Sequence, residues 1–537
     1  MVLIAFLLAI TALVPGAAAS NQRAAAKKET VDLQILQVSD WHAQLDPLSV
    51  FGVGDVGGAA FLSTYFKQDR AAQPNTLTLT AGDAFGASPP LSSFFNEVPA
   101  VLAMNLMGFD ADGLGNHNFD RGIAHLQQMI DLAEFPYLSA NLENVDENLT
   151  GVKPYEIFDM DGLKVAVIGI TNPEAPELVF PGNFGTINVS GPVKAAKSAR
   201  AQARREGANF FVLITHMGVT SFENGQAAGP LIDLANKLRG FDVVLGDHTD
   251  MQFEGVINDA LVVENRSRGL TYSRINLTVD PRTSGVKSRS VEFVTPLSSA
   301  VPPDPAIVEM LAPFRQALAE VFDEVIGEAT DLFPRQDNIE RLGEVAIGNL
   351  VTDSMRDEYG TDLVLTNGGG LRAPIPSSYL PQNTALRRNT PGYAPGPPYD
   401  VVIGDVFTVL PFGNNVVTRT VTGSQLYQVL EHGVSAMPAA NGRFPQISGF
   451  KFTYDVAQPV GSRVVDVTLD DGTPILPDST VYTLTTNDFL NAGGDGYTML
   501  ADGQGTSREV MADVLLEYIR EQGTITPTIE GRITRLN

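Results

Sequence analysis

Cysteine is absent from all 537 residues. That excludes disulfides, thiolate metal sites and a cysteine nucleophile. Basic side chains are scarce: 36 Lys and Arg stand against 62 Asp and Glu, a formal net charge of −26. A chain this acidic lacks the clustered cations that replace counterions on a phosphate backbone, so a nucleic acid polymer is excluded as a partner. An anionic substrate must be drawn by metal ions or a few placed arginines, not by the overall field. Tryptophan occurs once, at Trp41, and histidine only six times. Beyond the N-terminus no apolar run approaches the roughly 20 residues of a spanning helix, so no stable membrane span is expected after processing.

What is present suits a globular chain: 44% hydrophobic and 18% charged residues are too apolar for disorder. At roughly 100–200 residues per domain, the length predicts two or more domains. The N-terminal MVLIAFLLAITALVPGAAAS has an apolar stretch from Val2 to Val14 and an A-x-A site before Ser20. It predicts a cleaved export signal over 1–19, although no Lys or Arg precedes the apolar run. Export without cysteine points to a bacterial periplasm or exterior. The sequence leaves the oligomeric state open.

Apolar runs recur along the first half: VDLQILQVS (31–39), TLTLTA (76–81), KVAVIGI (164–170), NFFVLIT (209–215) and FDVVLG (241–246). Helix-like segments at 193–207 and 230–240 lie between them, which predicts an α/β layered domain over 20–300. The stretch 273–294 reads as antiparallel strands closing it. A proline-rich entry and a long amphipathic pattern over 301–327 predict a connector helix. Residues 328–537 form a second domain of mixed character.

Each apolar run of the first domain ends in polar groups of one kind. Asp40 and His42 follow the first and Asp83 the second. Asn116 and His117 follow DADGLG, His216 follows NFFVLIT, and Asp247, His248 and Asp250 follow FDVVLG. Ligands of open α/β sheets gather beyond the carboxyl ends of strands, so five segments can converge on one crevice. Four of the six histidines stand there; His125 and His432 do not. Imidazole and carboxylate suit Zn²⁺, Mn²⁺ or a similar divalent ion. Two such ions about 3.5–4 Å apart can hold a hydroxide and clamp a phosphoryl group, with Asp83 the natural bridge. Strand-end turns alone account for any single Asp or Asn, but poorly for all five together. Asp120, just before the helical pattern of 121–135, also has the place of an N-cap.

The series D-x-H, GD, GNH, H and GDHxD resembles the calcineurin-like metallophosphoesterases. GNHNFD (115–120) resembles a motif of the 5′-nucleotidase family within them, which includes periplasmic UDP-sugar hydrolases and ecto-5′-nucleotidases. The resemblance covers nearly the whole chain after the signal. It implies a four-layer α/β/β/α metallophosphoesterase domain, a linker helix and a C-terminal α+β substrate-binding domain. By position it implies two divalent metals held by Asp40, His42, Asp83 and His248, with Asn116, His216 and Asp250 completing the shells. His117 would face the phosphate, held by Asp120. Asp250 stands where relatives have His or Gln, and Ala43 where glycine is usual.

In the second domain LPFGNN (410–415) and NDFLNAGGDGY (487–497) resemble the family's nucleoside loops. Phe412 and Phe489 would sandwich the base, Asp495 would bind ribose hydroxyls, and Asn414 adjoins the stack. Asn367 would contact the base edge. Arg372 would serve the phosphate or ribose side, and Arg341 stands at the spacing of a substrate arginine of ecto-5′-nucleotidases. Alone, each Phe reads more readily as core. The expected activity is phosphate release from 5′-nucleotides, with nucleoside diphosphates or UDP-sugars as further substrates. Alternatives on the same scaffold are a 2′,3′-cyclic-nucleotide phosphodiesterase, a sulfur-oxidation-type esterase, or a noncatalytic nucleotide-binding surface protein.

Overall fold

The computed structural model describes residues 29–537 apart from Phe51, Asn224 and Asp337. The expected signal, 1–19, lies outside the described residues. Two sheets face each other in the first domain. One has seven strands in the order Gly285–Val294, Tyr272–Asp280, Val31–Gln37, Thr76–Thr80, Ala111–Gly113, Tyr137–Leu138 and Val152–Lys153. The other has six: Phe253–Ile257, Ala260–Glu264, Val243–Leu245, Phe210–Thr215, Leu163–Ile170 and Tyr155–Met160. Strands in the middle of each sheet run parallel, and the antiparallel pair 272–280 and 285–294 closes one edge.

Side-chain alternation builds the layers. Val31, Leu33 and Ile35 join Leu163, Val165 and Val167 in the core between the sheets. Leu36 turns the other way, into the cluster under the helices Ala59–Ala72 and Val98–Met107. Ala166, Ile168 and Ile170 face Ala196, Ala199 and Ala203 of the helix Pro192–Arg205 on the opposite side. The result is helix, sheet, sheet, helix.

The helix Pro305–Phe322 leads from this domain to the next. Asp304 caps it, accepting from the Ala306 amide at 3.1 Å, and also takes Ser63 and Lys67 of the helix Ala59–Ala72. Its Ile307, Leu311, Leu318 and Phe322 belong to one apolar cluster that runs from Leu36 to Ile525 and so spans both domains. The second domain holds a five-stranded sheet, Pro445–Ser448, Leu363–Asn367, Val481–Asn487, Asn415–Thr422 and Thr506–Val510, flanked by helices such as Ala346–Tyr359 and Met511–Gln522. Among the described residues no helix is long and apolar enough to cross a membrane.

Candidate metal centre and nucleotide cavity

The five polar strand ends meet. Asp40 and His42 follow Val31–Gln37, Asp83 follows Thr76–Thr80, and Asn116 and His117 follow Ala111–Gly113. His216 follows Phe210–Thr215, and Asp247, His248 and Asp250 follow Val243–Leu245. Five of these residues, Asp40, His42, Asp83, His248 and Asp250, have φ between 38° and 86°. Non-glycine residues rarely adopt that region, and such strain gathers at functional sites.

Three groups have ligand atoms within 4.8 Å of one another: His42–Asp83–His117, Asp83–His216–His248 and Asp40–His216–Asp247. Asp83 belongs to two of them, as a bridging carboxylate must. His216 Nε2 lies 2.9 Å from Asp83 Oδ2, 3.2 Å from Asn116 Oδ1 and 3.1 Å from His248 Nδ1. Backbone amides orient the carboxylates: His117 donates to Asp83 at 2.7 Å, and His248 to Asp40 at 2.6 Å. His42 donates from Nδ1 to the Gly86 carbonyl at 2.8 Å, which leaves Nε2 with its lone pair. Asp250 stands outside all three groups; Asn338 of the second domain approaches its carboxylate at 3.5 Å.

Electrostatics suit a cation. Burial would raise Asp83, but the charge of His216 and its hydrogen bond, chief among the opposing influences, outweigh it and hold the carboxyl ionised. Burial and the His216 charge push His248 down to about 3, and burial with the Arg372 charge keeps His42 low. These are the protonation states a divalent ion requires. His216 is the exception: burial works against its charge, yet Asp83 and Asp40 raise it to about 9. Asp247, which sequence reasoning left out of the ligand set, is fully buried and pushed well up by burial and the neighbouring Asp40. Its Oδ2 has no partner. Its position one residue before His248 was the available signal.

Gly115 makes room for this cluster. A Cβ there would stand 2.3 Å from Asp83 Oδ1 and 2.8 Å from His216 Cε1, both inside contact distance. Gly115→Ala should displace both side chains and lower metal affinity by about 10–100-fold, the usual size for loss of orienting groups. Metal content after dialysis, measured beside circular dichroism to confirm folding, checks it. Unchanged content would show that the cluster tolerates the methyl.

His117 begins a short turn, 117–119, and its Nδ1 lies 3.0 and 2.9 Å from the two oxygens of Asp120. The N-cap expectation for Asp120 needs correction. The helix is Gly122–Leu132, it has no side-chain cap, and the Asp120 carboxylate is taken by His117 and by the Ala87 amide at 3.1 Å.

A cavity of about 510 Å³ opens from the cluster toward the second domain. Asn116, His117, Asp120, His248 and Asp250 line it from the first domain; Arg341, Asn367, Arg372, Phe412, Asn414, Phe489 and Asp495 line it from the second. Asp40, His42, Asp83 and His216 lie behind that lining. Asn367 donates to Asp495 Oδ2 at 2.8 Å and accepts from Asn487 at 3.3 Å. Phe489 packs over Gly494, where a Cβ would come within 2.2 Å of the ring. Asn414 is turned to Asp488 at 2.8 Å.

Arg341 and Arg372 are joined by Arg268 and Arg335, which sequence reasoning missed. Arg268 Nη2 donates to the Arg372 carbonyl at 3.1 Å, and Arg335 pairs at 2.9 Å with the fully buried Glu340. Burial and the charges of Arg341, Arg335 and Arg268 hold the Arg372 guanidinium well below its ordinary range. Burial and the charge of Arg335 bring Arg268 to about 10. Arg372 Nη2 reaches across the domains to His42 Nε2 at 3.3 Å. Arg268 carried one signal: it follows Ala260–Glu264, another strand of the same sheet. Arg335 carried none.

Comparisons with known proteins agree with this architecture. Residues 325–502 match the family described as "5'-nucleotidase, C-terminal domain". The chain is 29% identical to the Bacillus subtilis protein named endonuclease YhcR, over 96% of this chain but only 42% of that protein, so it spans less than half of that relative's length. It is 27% identical to the snake venom 5′-nucleotidase of Naja atra, covering 94% of this chain and 98% of that one. The crystal structure of a 5′-nucleotidase precursor from Thermus thermophilus superposes with a TM-score of 0.82 at 28% identity, covering 94% and 99% of the two chains. The C-terminal domain thus matches that of 5′-nucleotidases, and over nearly its whole length the chain resembles 5′-nucleotidases in sequence and in two-domain fold.

Proposed function

We propose that this chain is an exported phosphohydrolase that releases phosphate from nucleoside 5′-monophosphates in the periplasm or outside the cell. The observation that carries the reading is the single cavity shared by the His117–Asp120 pair and by Phe412, Phe489 and Asp495. A phosphate at the first end leaves a nucleoside directed to the second.

Asp40, His42, Asp83, Asn116, His216 and His248 would hold two divalent ions such as Zn²⁺ or Mn²⁺, with Asp83 shared and Asp250 at the rim. Bound there, the ions would supply Lewis-acid charge for a phosphoryl oxygen and would lower the pKa of water. The chain's own groups do the rest. Asp120 accepts the Nδ1–H of His117, fixes the tautomer and directs Nε2 toward the phosphoryl group, where it stabilises developing charge. Arg341 and Arg372 offer forked donors to phosphate oxygens, stronger than neutral donors because they are charged. Phe412 and Phe489 stack on the base, worth about 1–3 kcal/mol and tolerant of its identity. Asp495, held by Asn367, accepts from the ribose hydroxyls. Nucleoside diphosphates and UDP-sugars are further candidate substrates of the same cavity.

The test is phosphate release from AMP by the full chain with Mn²⁺ or Zn²⁺, with UDP-glucose and bis(p-nitrophenyl) phosphate in parallel. Metal-dependent release from AMP is expected. Turnover of bis(p-nitrophenyl) phosphate alone would leave the metal centre standing and sink the nucleoside assignment. No turnover with metal bound would favour a noncatalytic or nonnucleotide role.

A further inference from the structure

We infer that Phe412 is a positioning residue for the imidazole of His117 as well as a surface for the base. This rests on the reading of His117 as the group that faces the phosphate. The two rings stack with centroids 5.7 Å apart and planes 19° from parallel. Asp120 holds Nδ1 with two oxygens, but both lie along one direction. That holds Nδ1 but leaves the ring free to rock about the line from Nδ1 to Asp120, by small coupled changes of its two side-chain torsions. His42 meets His117 on its edge, 5.2 Å away at 73°. The face of Phe412 supplies the remaining constraint. Nε2 of His117 then opens to the cavity, with no protein hydrogen bond among the described residues.

Phe412 is itself held. It lies in the turn after the helix Ile403–Val409, and the Arg372 guanidinium carbon is 5.8 Å from its ring centre. Arg372 in turn donates to His42. So two residues of the second domain, Phe412 and Arg372, meet two imidazoles of the first. The plane of the imidazole is set only when the domains are together. It follows that a phosphoester with no base still needs Phe412. Displacements near 1 Å at a reacting group cost up to about 100-fold, so loss of one wall of this site is a measurable effect.

The experiment uses the Zn²⁺-loaded full chain with Phe412→Leu, Phe412→Tyr and Phe489→Leu, on AMP and on β-glycerophosphate, which has no base. Phe412→Leu should lower kcat on β-glycerophosphate about tenfold with KM little changed. Phe412→Tyr should restore it. Phe489→Leu should lose chiefly KM on AMP, with a smaller loss on the ester than Phe412→Leu. The Cε1–H resonance of His117, assigned with His117→Ala, should lose its ring-current shift in Phe412→Leu and keep it in Phe412→Tyr. Unchanged kcat on the ester with an unchanged resonance overturns the inference and leaves the base sandwich intact. A fall in ester kcat, with AMP KM insensitive to both phenylalanines, keeps the inference and overturns the sandwich. Where the ester is not turned over, the resonance decides.

Discussion

His117→Ala should lower kcat on AMP by about 10²–10⁴-fold, the range for losing a positioned acid–base or charge-stabilising group, with a far smaller change in KM. The argument is geometric. His117 contributes its backbone amide to Asp83, which the substitution keeps, and its imidazole to the cavity, which it removes. The metal cluster should therefore survive, and metal content measured on the variant checks that. Asp120→Asn should cost no more than His117→Ala, because the imidazole itself remains. An amide can still meet Nδ1 but no longer offers two equivalent acceptors, so the tautomer is less firmly set. The double variant should be no slower than His117→Ala alone, because the pair acts through one imidazole. Additive losses would show that Asp120 acts on its own. Equal falls in kcat and metal content would instead make His117 a ligand, consistent with its place beside His42 and Asp83.

The residues that proved legible in the sequence share one property: a local pattern announces them. Alternating apolar strands such as Val31–Gln37 and Leu163–Ile170 are buried on both faces, so a polar residue at their end stands out. Asp40, Asp83 and His216 are recognisable for that reason. That the first domain is layered was legible too, since apolar strands alternate with helical segments along it; its four layers were what the family resemblance implied. Across the domain boundary such patterns fail. Arg268 of the first domain and Arg372 of the second are 104 positions apart. Nothing in the spacing of either announces a contact. The backbone strain at Asp40, His42 and Asp83 is equally silent, because a left-handed conformation at a non-glycine residue is imposed by what surrounds it. Asp120 shows the converse error. Its place before a helix suggested a cap, yet the His117 imidazole three residues back and the Ala87 amide take its oxygens, and the helix Gly122–Leu132 has no side-chain cap.

Removing metal should abolish AMP turnover, and the return of metal should depend on pH in a direction the site dictates. A chelator-treated protein should regain activity with Zn²⁺ or Mn²⁺. His216 holds a proton up to about 9 without metal, because burial is outweighed by Asp83 and Asp40. A ligating imidazole must be neutral, so metal entry expels that proton. The sign follows: protons compete with metal below pH 9, and apparent affinity rises by about tenfold per pH unit until His216 is neutral, then levels off. Below about 6, where burial has lifted Asp40, a second proton joins and the slope steepens toward two. Calorimetric titration of the chelator-treated chain with Zn²⁺ at pH 7, in two buffers of different ionisation heat, should therefore record about one proton released per molecule. The structural consequence runs the same way. Without cations the carboxylates of Asp40, Asp83 and Asp247 crowd one buried place: burial, with the charges of Asp250 and Asp83, pushes Asp40 up, and burial, with the charge of Asp40, pushes Asp247 up. Metal at 100 times its dissociation constant adds about 2.7 kcal/mol to the folded state, so the unfolding midpoint should fall on chelation; the chelated chain should lose further stability as pH rises from the free carboxylate range through about 6, where folded Asp40 gives up a proton the unfolded chain has already lost, and level off for Asp40 above that. A midpoint unmoved by chelator, or metal uptake that releases no proton, would mean that His216 is not a ligand and that the ion sits elsewhere in the crevice.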